Sequence, residues 1–103
     1  MVVIVYSGTA ARDLKSIYNY IAKDSKSYAS KEVKLIREFV KKLKFNVWMG
    51  KSFERMDDSV REMVFQKKRI IYEVVSDKQI EILTIHHHAR SIALNPAFGN
   101  EED

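Results

Sequence analysis

Apolar residues recur at two different periods along this chain, and the order of those periods confines the fold narrowly. Residues 2–6, Val-Val-Ile-Val-Tyr, are an unbroken run of β-formers and read as a short strand. Helical spacing follows at Ala10, Leu14, Ile17, Tyr18 and Ile21, and again at Ala29, Val33, Ile36, Val40 and Leu43. Only Asp24-Ser25-Lys26-Ser27 separates the two stripes, which predicts an antiparallel helical hairpin over 9–23 and 27–44. Ser7 stands where the first helix needs an N-cap. Residues 45–58 have no clean period and read as a long connection. Three β-rich runs come last, 60–66, 69–76 and 79–88, with Lys67-Lys68 and Asp77-Lys78 at the places of tight turns. The expected fold class is α+β: an N-terminal strand and a two-helix hairpin packed on one face of an antiparallel sheet, in the order β-α-α-β-β-β.

Composition supports one small domain. A chain of 103 residues buries roughly 65% of its unfolded surface. Three Gly and one Pro are far below the average usage of about 12%, which argues against a many-turned sandwich and against disorder. The absence of Cys excludes disulfides and thiolate-bound zinc, and suits a reducing compartment. Uncharged apolar runs fall well short of the ~20 residues that span a bilayer, and the start MVVIVYSG has no basic region of a secretory signal. The expectation is a cytoplasmic protein with no membrane partner. Residues 1–92 form the domain and residues 93–103 a tail that holds Pro96 and ends Glu101-Glu102-Asp103.

Charge is unevenly placed. The net value is +4, but residues 1–50 carry ten basic and four acidic side chains, and the chain without its three terminal acids stands at +7. Such an excess allows a polyanionic or acidic protein partner. Lys34, Arg37, Lys41 and Lys44 form a basic stripe beside the apolar one on the second helix; alone, such a stripe is a solvated face. Trp48, Met49 and Phe53 in the connection suit core or partner contacts better than a cofactor box.

A sheet covered by helices on one face leaves the other for function. Alternation directs Ile70, Tyr72 and Val74 to the helices and Arg69, Ile71, Glu73 and Val75 to the open side. In the last run, Ile80, Ile82 and Thr84 oppose Glu81, Leu83, Ile85 and His87, and the charge at Glu81 assigns the second set to the open face. Three consecutive histidines, 86–88, end that run. On a strand only His86 and His88 share a side, so metal binding has weak support; the alternatives are imidazoles meeting solvent or a partner, and general acid–base work by one of them. Arg69 and Arg90 suit a bidentate phosphate clamp, or salt bridges with Glu73, Glu62 or Glu81. No phosphate loop, nucleophile elbow or paired-carboxylate signature is present, and no cofactor is expected.

Longer stretches carry a resemblance. The segments RDLKSIYNYIAKDS, YASKEVKLI, GKSFERMDDSVREMVFQKKRIIYEV and IEILTIHHHAR resemble, in order, RelE/ParE-family toxins of bacterial type II toxin–antitoxin (plasmid stabilisation) systems. Gly50, Glu54, Arg61-Glu62 and Arg69-Ile70-Ile71-Tyr72 fall at that family's spacing, and the similarity covers about residues 3–92. The resemblance implies helices on one face of an antiparallel sheet and a hetero-oligomer with a cognate antitoxin. Given the basic body, that antitoxin is expected to be acidic and amphipathic and to fold on binding, with Lys34, Arg37, Lys41, Lys44, Trp48 and Arg61 as contacts to it or to the target. It also implies one of two targets. RelE-like members are metal-independent endoribonucleases that cut mRNA on the ribosome, and in that branch Arg69, Arg90 and His87 are the catalytic candidates. ParE-like members inhibit DNA gyrase. The tyrosine of the RelE tail has no counterpart after Tyr72, and RelE's lysine pair falls at Val60 and Glu62; both departures favour the gyrase branch. A further alternative is a non-toxic orphan domain on the same fold that binds nucleic acid or protein.

Overall fold

The computed structural model describes residues 1–53 and 56–87, with His87 as backbone alone. The chain runs through β1 (Val3–Tyr6), α1 (Gly8–Ala22), α2 (Lys26–Val40), a 3-10 turn (Lys41–Lys44), β2 (Lys51–Ser52), β3 (Val60–Phe65), β4 (Lys68–Ser76) and β5 (Gln79–His87). Each helix starts at a serine. The Ser7 hydroxyl oxygen accepts the Ala10 N–H at 3.0 Å, and Ser25 accepts the Tyr28 N–H at 3.1 Å, each satisfying one of a helix's unpaired first-turn donors. The second helix stops earlier than its apolar stripe, because 41–44 tightens into the 3-10 turn that still buries Leu43.

The five strands lie in the order β1-β5-β4-β3-β2. The expected all-antiparallel pairing is corrected at one edge, where β1 runs parallel to β5 with Ile4 opposite Ile80. A parallel pair cannot be joined by a tight turn, and here both helices and three strands separate β1 from β5 along the chain. The expected long connection is also interrupted: Lys51 and Ser52 pair with Glu62 and Arg61 of β3.

Both helices cover one face. Ala10, Leu14, Ile36 and Val40 pack with Met63, Ile70, Tyr72, Val74, Ile80, Ile82 and Ile85 in a single buried cluster. Phe39 of α2 stacks on Phe65 with ring centroids 4.5 Å apart, and Lys68 reaches Glu32 of α2 at 3.9 Å. The β4 assignment by alternation holds, since Ile70, Tyr72 and Val74 are in that cluster. The β5 assignment needs correction at its end. Tyr72 pairs with Ile82 but Ile71 pairs with Thr84, so Leu83 is an extra residue and the alternation reverses beyond it. Ile85 therefore faces the helices rather than the open side, and His86 stands opposite Arg69. Beyond the end of β1, the free edge of β5 is capped by α1. Ser7 donates its hydroxyl to the Leu83 carbonyl at 2.9 Å, and the Asp13 carboxylate accepts the Thr84 hydroxyl at 2.6 Å and the Ile85 N–H at 2.9 Å.

The β3–β4 turn falls at Gln66 and Lys67, both with positive φ (49° and 68°). These are the signs a tight hairpin turn demands, and for side-chain-bearing residues the left-handed region costs roughly 1–2 kcal/mol each. Among the described residues no helix is long and apolar enough to cross a membrane.

Candidate functional site

The second face of the sheet is built around the first residues of β4. Register places Arg69 beside Val64 and His86, and Ile71 beside Glu62 and Thr84. This face is less bare than alternation suggested: Val60, Glu62, Ile71 and His86 are all buried on it. Arg69 donates from Nε to Glu62 Oε1 at 2.7 Å, and the other carboxylate oxygen lies 3.8 Å from Lys51 Nζ. The Arg69 guanidinium also sits 5.7 Å from the centre of the Phe53 ring. A carboxylate as buried as Glu62 is tolerated only with cationic partners, and here it has two. The salt-bridge alternative for Arg69 is therefore the one realised, with Glu62 as the partner. The bond engages the Nε edge and leaves the two Nη groups as the guanidinium's remaining donors.

The candidate contact residues divide into two groups. Arg37, Lys41 and Lys44 line a groove of about 340 Å³ with Met1, Val2, Val3, Ile4 and Tyr6, alongside edge strand β1. The Arg37 guanidinium lies 5.1 Å from the Tyr6 ring centre. Burial raises the pKa of the Tyr6 hydroxyl, and the charge and hydrogen bond of Arg37 oppose that shift. Lys34 is exposed on α2 and does not line the groove. Trp48 and Arg61 form the second group, with the guanidinium 4.7 Å from the indole. Arg61 also donates to the carbonyl of Gly50 at 2.9 Å and to the Asp58 carboxylate at 3.5 Å. His87 pairs with Lys68 through the backbone, while Arg90, His88, Glu54 and the tail lie outside the described residues. Among the described residues no three of His, Asp and Glu gather as a metal site.

Two parts of this arrangement are not given by residue types. One is the place of His86, a residue already marked by the histidine run, which the extra residue in β5 sets beside Arg69. The other is the Tyr72 hydroxyl, which accepts the Gly50 N–H at 2.9 Å and donates to the Val47 carbonyl at 2.8 Å. A lone glycine in an aperiodic segment was the available signal. A Cβ on Gly50 would lie 2.7 Å from the Glu62 carbonyl and 2.8 Å from the Tyr72 oxygen, so only glycine permits this approach.

Similar solved structures include members of toxin–antitoxin systems. The chromosomal ParDE system of P. aeruginosa matches with a TM-score of 0.69 and 28% identity, over 84% of this chain and 96% of that one. The RelBE2 complex of Mycobacterium tuberculosis matches at 0.62 and 19% identity, covering 84% and 96%. The YoeB dimer of Staphylococcus aureus matches at 0.60 and 22%, covering 84% and 97%. The last two show likeness of fold alone. No curated protein matches the chain by sequence. Two helices on one face of a five-stranded mixed sheet thus define a toxin of the RelE/ParE type. Residues 4–92 match the sequence profile of the ParE toxin of the type II toxin–antitoxin system parDE, and the chain belongs to that family.

Proposed function

We propose that this toxin arrests growth in the cytoplasm by acting on DNA gyrase, and that an acidic, amphipathic antitoxin holds it in check as a hetero-oligomer. The carrying observation is the bond between Arg69 and Glu62 at 2.7 Å. A phosphate clamp requires a guanidinium whose charge is free for the ligand, and here a buried carboxylate engages it. The same position, Glu62, is where the nuclease branch would carry a lysine. Antitoxin contact fits the groove lined by Arg37, Lys41 and Lys44, where three exposed cations border apolar side chains. The match to a ParDE system supports such a partner.

The test is to incubate the purified chain with gyrase and supercoiled DNA. Accumulated cleavage complexes, removed by adding the antitoxin, support the reading; intact DNA at toxin excess contradicts it. A second reading, ribosome-dependent mRNA cleavage, draws on His86 standing opposite Arg69. It predicts cut mRNA only when ribosomes are present, and loss of cutting in Arg69→Ala. If induction leaves growth unaffected, the chain is a non-toxic orphan.

A further inference from the structure

Residues 45–50 carry the chain from the helical layer to β2 without a regular element, yet their backbone is closely held. The Asn46 side chain accepts the Trp48 N–H at 3.0 Å, and its carbonyl accepts the Met49 N–H at 3.2 Å. Tyr72 bonds Val47 and Gly50 from the core, and Arg61 bonds the Gly50 carbonyl at 2.9 Å. Leu43 and Gly50 are buried, and Val47 packs against the core. Beside Asn46, what the segment turns outward is apolar: Phe45 is 91% exposed, Trp48 49% and Met49 46%. Large apolar side chains on a fixed support lose little further freedom when covered, which is how binding hot spots are built.

We infer that residues 45–49 are a preorganised docking surface for an acidic amphipathic segment of a protein partner. Its apolar side chains cover Phe45, Trp48 and Met49. Its carboxylates meet the exposed lysines Lys41, Lys42 and Lys44, which immediately precede the tip. Single-stranded nucleic acid fits less well. The Arg61 guanidinium stacks on Trp48 at 4.7 Å, and its donors are engaged by main-chain carbonyls and Asp58. Neither the ring face it covers nor its charge is then available for base and phosphate contacts. On the reading above the partner is the antitoxin, and the inference rests on that reading.

Trp48 is the only tryptophan, so its fluorescence reports this tip alone. The full chain is titrated with the purified product of the adjoining reading frame. The expected result is a shift of Trp48 emission to shorter wavelength and severalfold weaker iodide quenching. Phe45→Ala and Trp48→Ala should each weaken the complex about tenfold by calorimetry with unchanged circular dichroism, since both side chains are exposed. A complex that forms with unchanged Trp48 emission and wild-type affinity in both variants overturns the inference and leaves the antitoxin reading standing. If no complex forms, the antitoxin reading falls and the inference with it. Stronger quenching by a single-stranded oligothymidylate than by the protein assigns the tip to nucleic acid and overturns the inference.

Discussion

The cations at the start of β4 and those in the last turn of α2 and the 3-10 turn after it differ in what their charge meets inside the fold. Lys68 and Arg69 each face a buried carboxylate, Glu32 at 3.9 Å and Glu62 at 2.7 Å. Arg37, Lys41 and Lys44 are exposed around the groove beside β1, with ring and apolar neighbours there. Lys68 ties the sheet to α2 and Arg69 ties β4 to β3; the second group presents charge to whatever arrives. Basic residues thus have opposite meanings in the two places, and burial of the partner acid separates them.

The largest effects are expected where charge is neutralised internally. Arg69→Ala leaves the Glu62 carboxylate with only the distant Lys51, and breaking such a pair costs about 3 kcal/mol. Thermal unfolding should show the loss, and Glu62→Gln added to it should restore most of it. A double mutant no better than Arg69→Ala would mean that the arginine acts through packing alone. Gly50→Ala should cost about 2–3 kcal/mol, since overpacking against the Glu62 carbonyl and Tyr72 has no flexible side-chain end to yield. Denaturant titration measures it.

Tyr72→Phe is expected to cost about 2 kcal/mol, because the Gly50 N–H and Val47 carbonyl both lose their partner. The same hydroxyl sets an alkaline limit. Burial raises its pKa above the ordinary 10.0, with the Gly50 hydrogen bond and Arg61 opposing. A raised pKa favours the folded state below about pH 10, and that contribution is lost as pH rises through the folded value. Stability followed by circular dichroism should be flat on this account up to about pH 10 and fall beyond it, and Tyr72→Phe should lack that share of the fall. At the exposed end of the comparison, Lys44→Ala should change stability by less than about 0.5 kcal/mol while weakening antitoxin affinity in calorimetry.

Much of this contrast was legible in residue order. Alternation in β4 placed Arg69 and Tyr72 on opposite faces, and Glu62 stood among the possible partners of Arg69 because a tight hairpin brings the two strands together. Ser7 announced the first helix through its own side-chain chemistry. The parallel entry of β1 was not legible, because periodicity within a strand says nothing about which strand it will adjoin. The extra residue at Leu83 likewise belongs to the pairing of β5 with β4, and it alone decides that His86 stands beside Arg69. Tyr72 looked like a core residue, and is one; that its hydroxyl also braces residues 47–50 depends on a contact made across 22 positions. The groove beside β1 needed the same long-range pairing before Arg37, Lys41 and Lys44 could be joined to Tyr6.

The most direct test of the contrast is growth after induction of the Glu62→Gln/Arg69→Gln double variant, which removes both charges and leaves a polar side chain at each position. If Arg69 serves the fold rather than a scissile phosphate, the variant, folded by circular dichroism, stops growth as the unmodified chain does and is rescued by the antitoxin. A folded variant that no longer arrests growth, beside an unmodified chain that cuts mRNA on ribosomes, would return Arg69 to catalysis and contradict the gyrase reading.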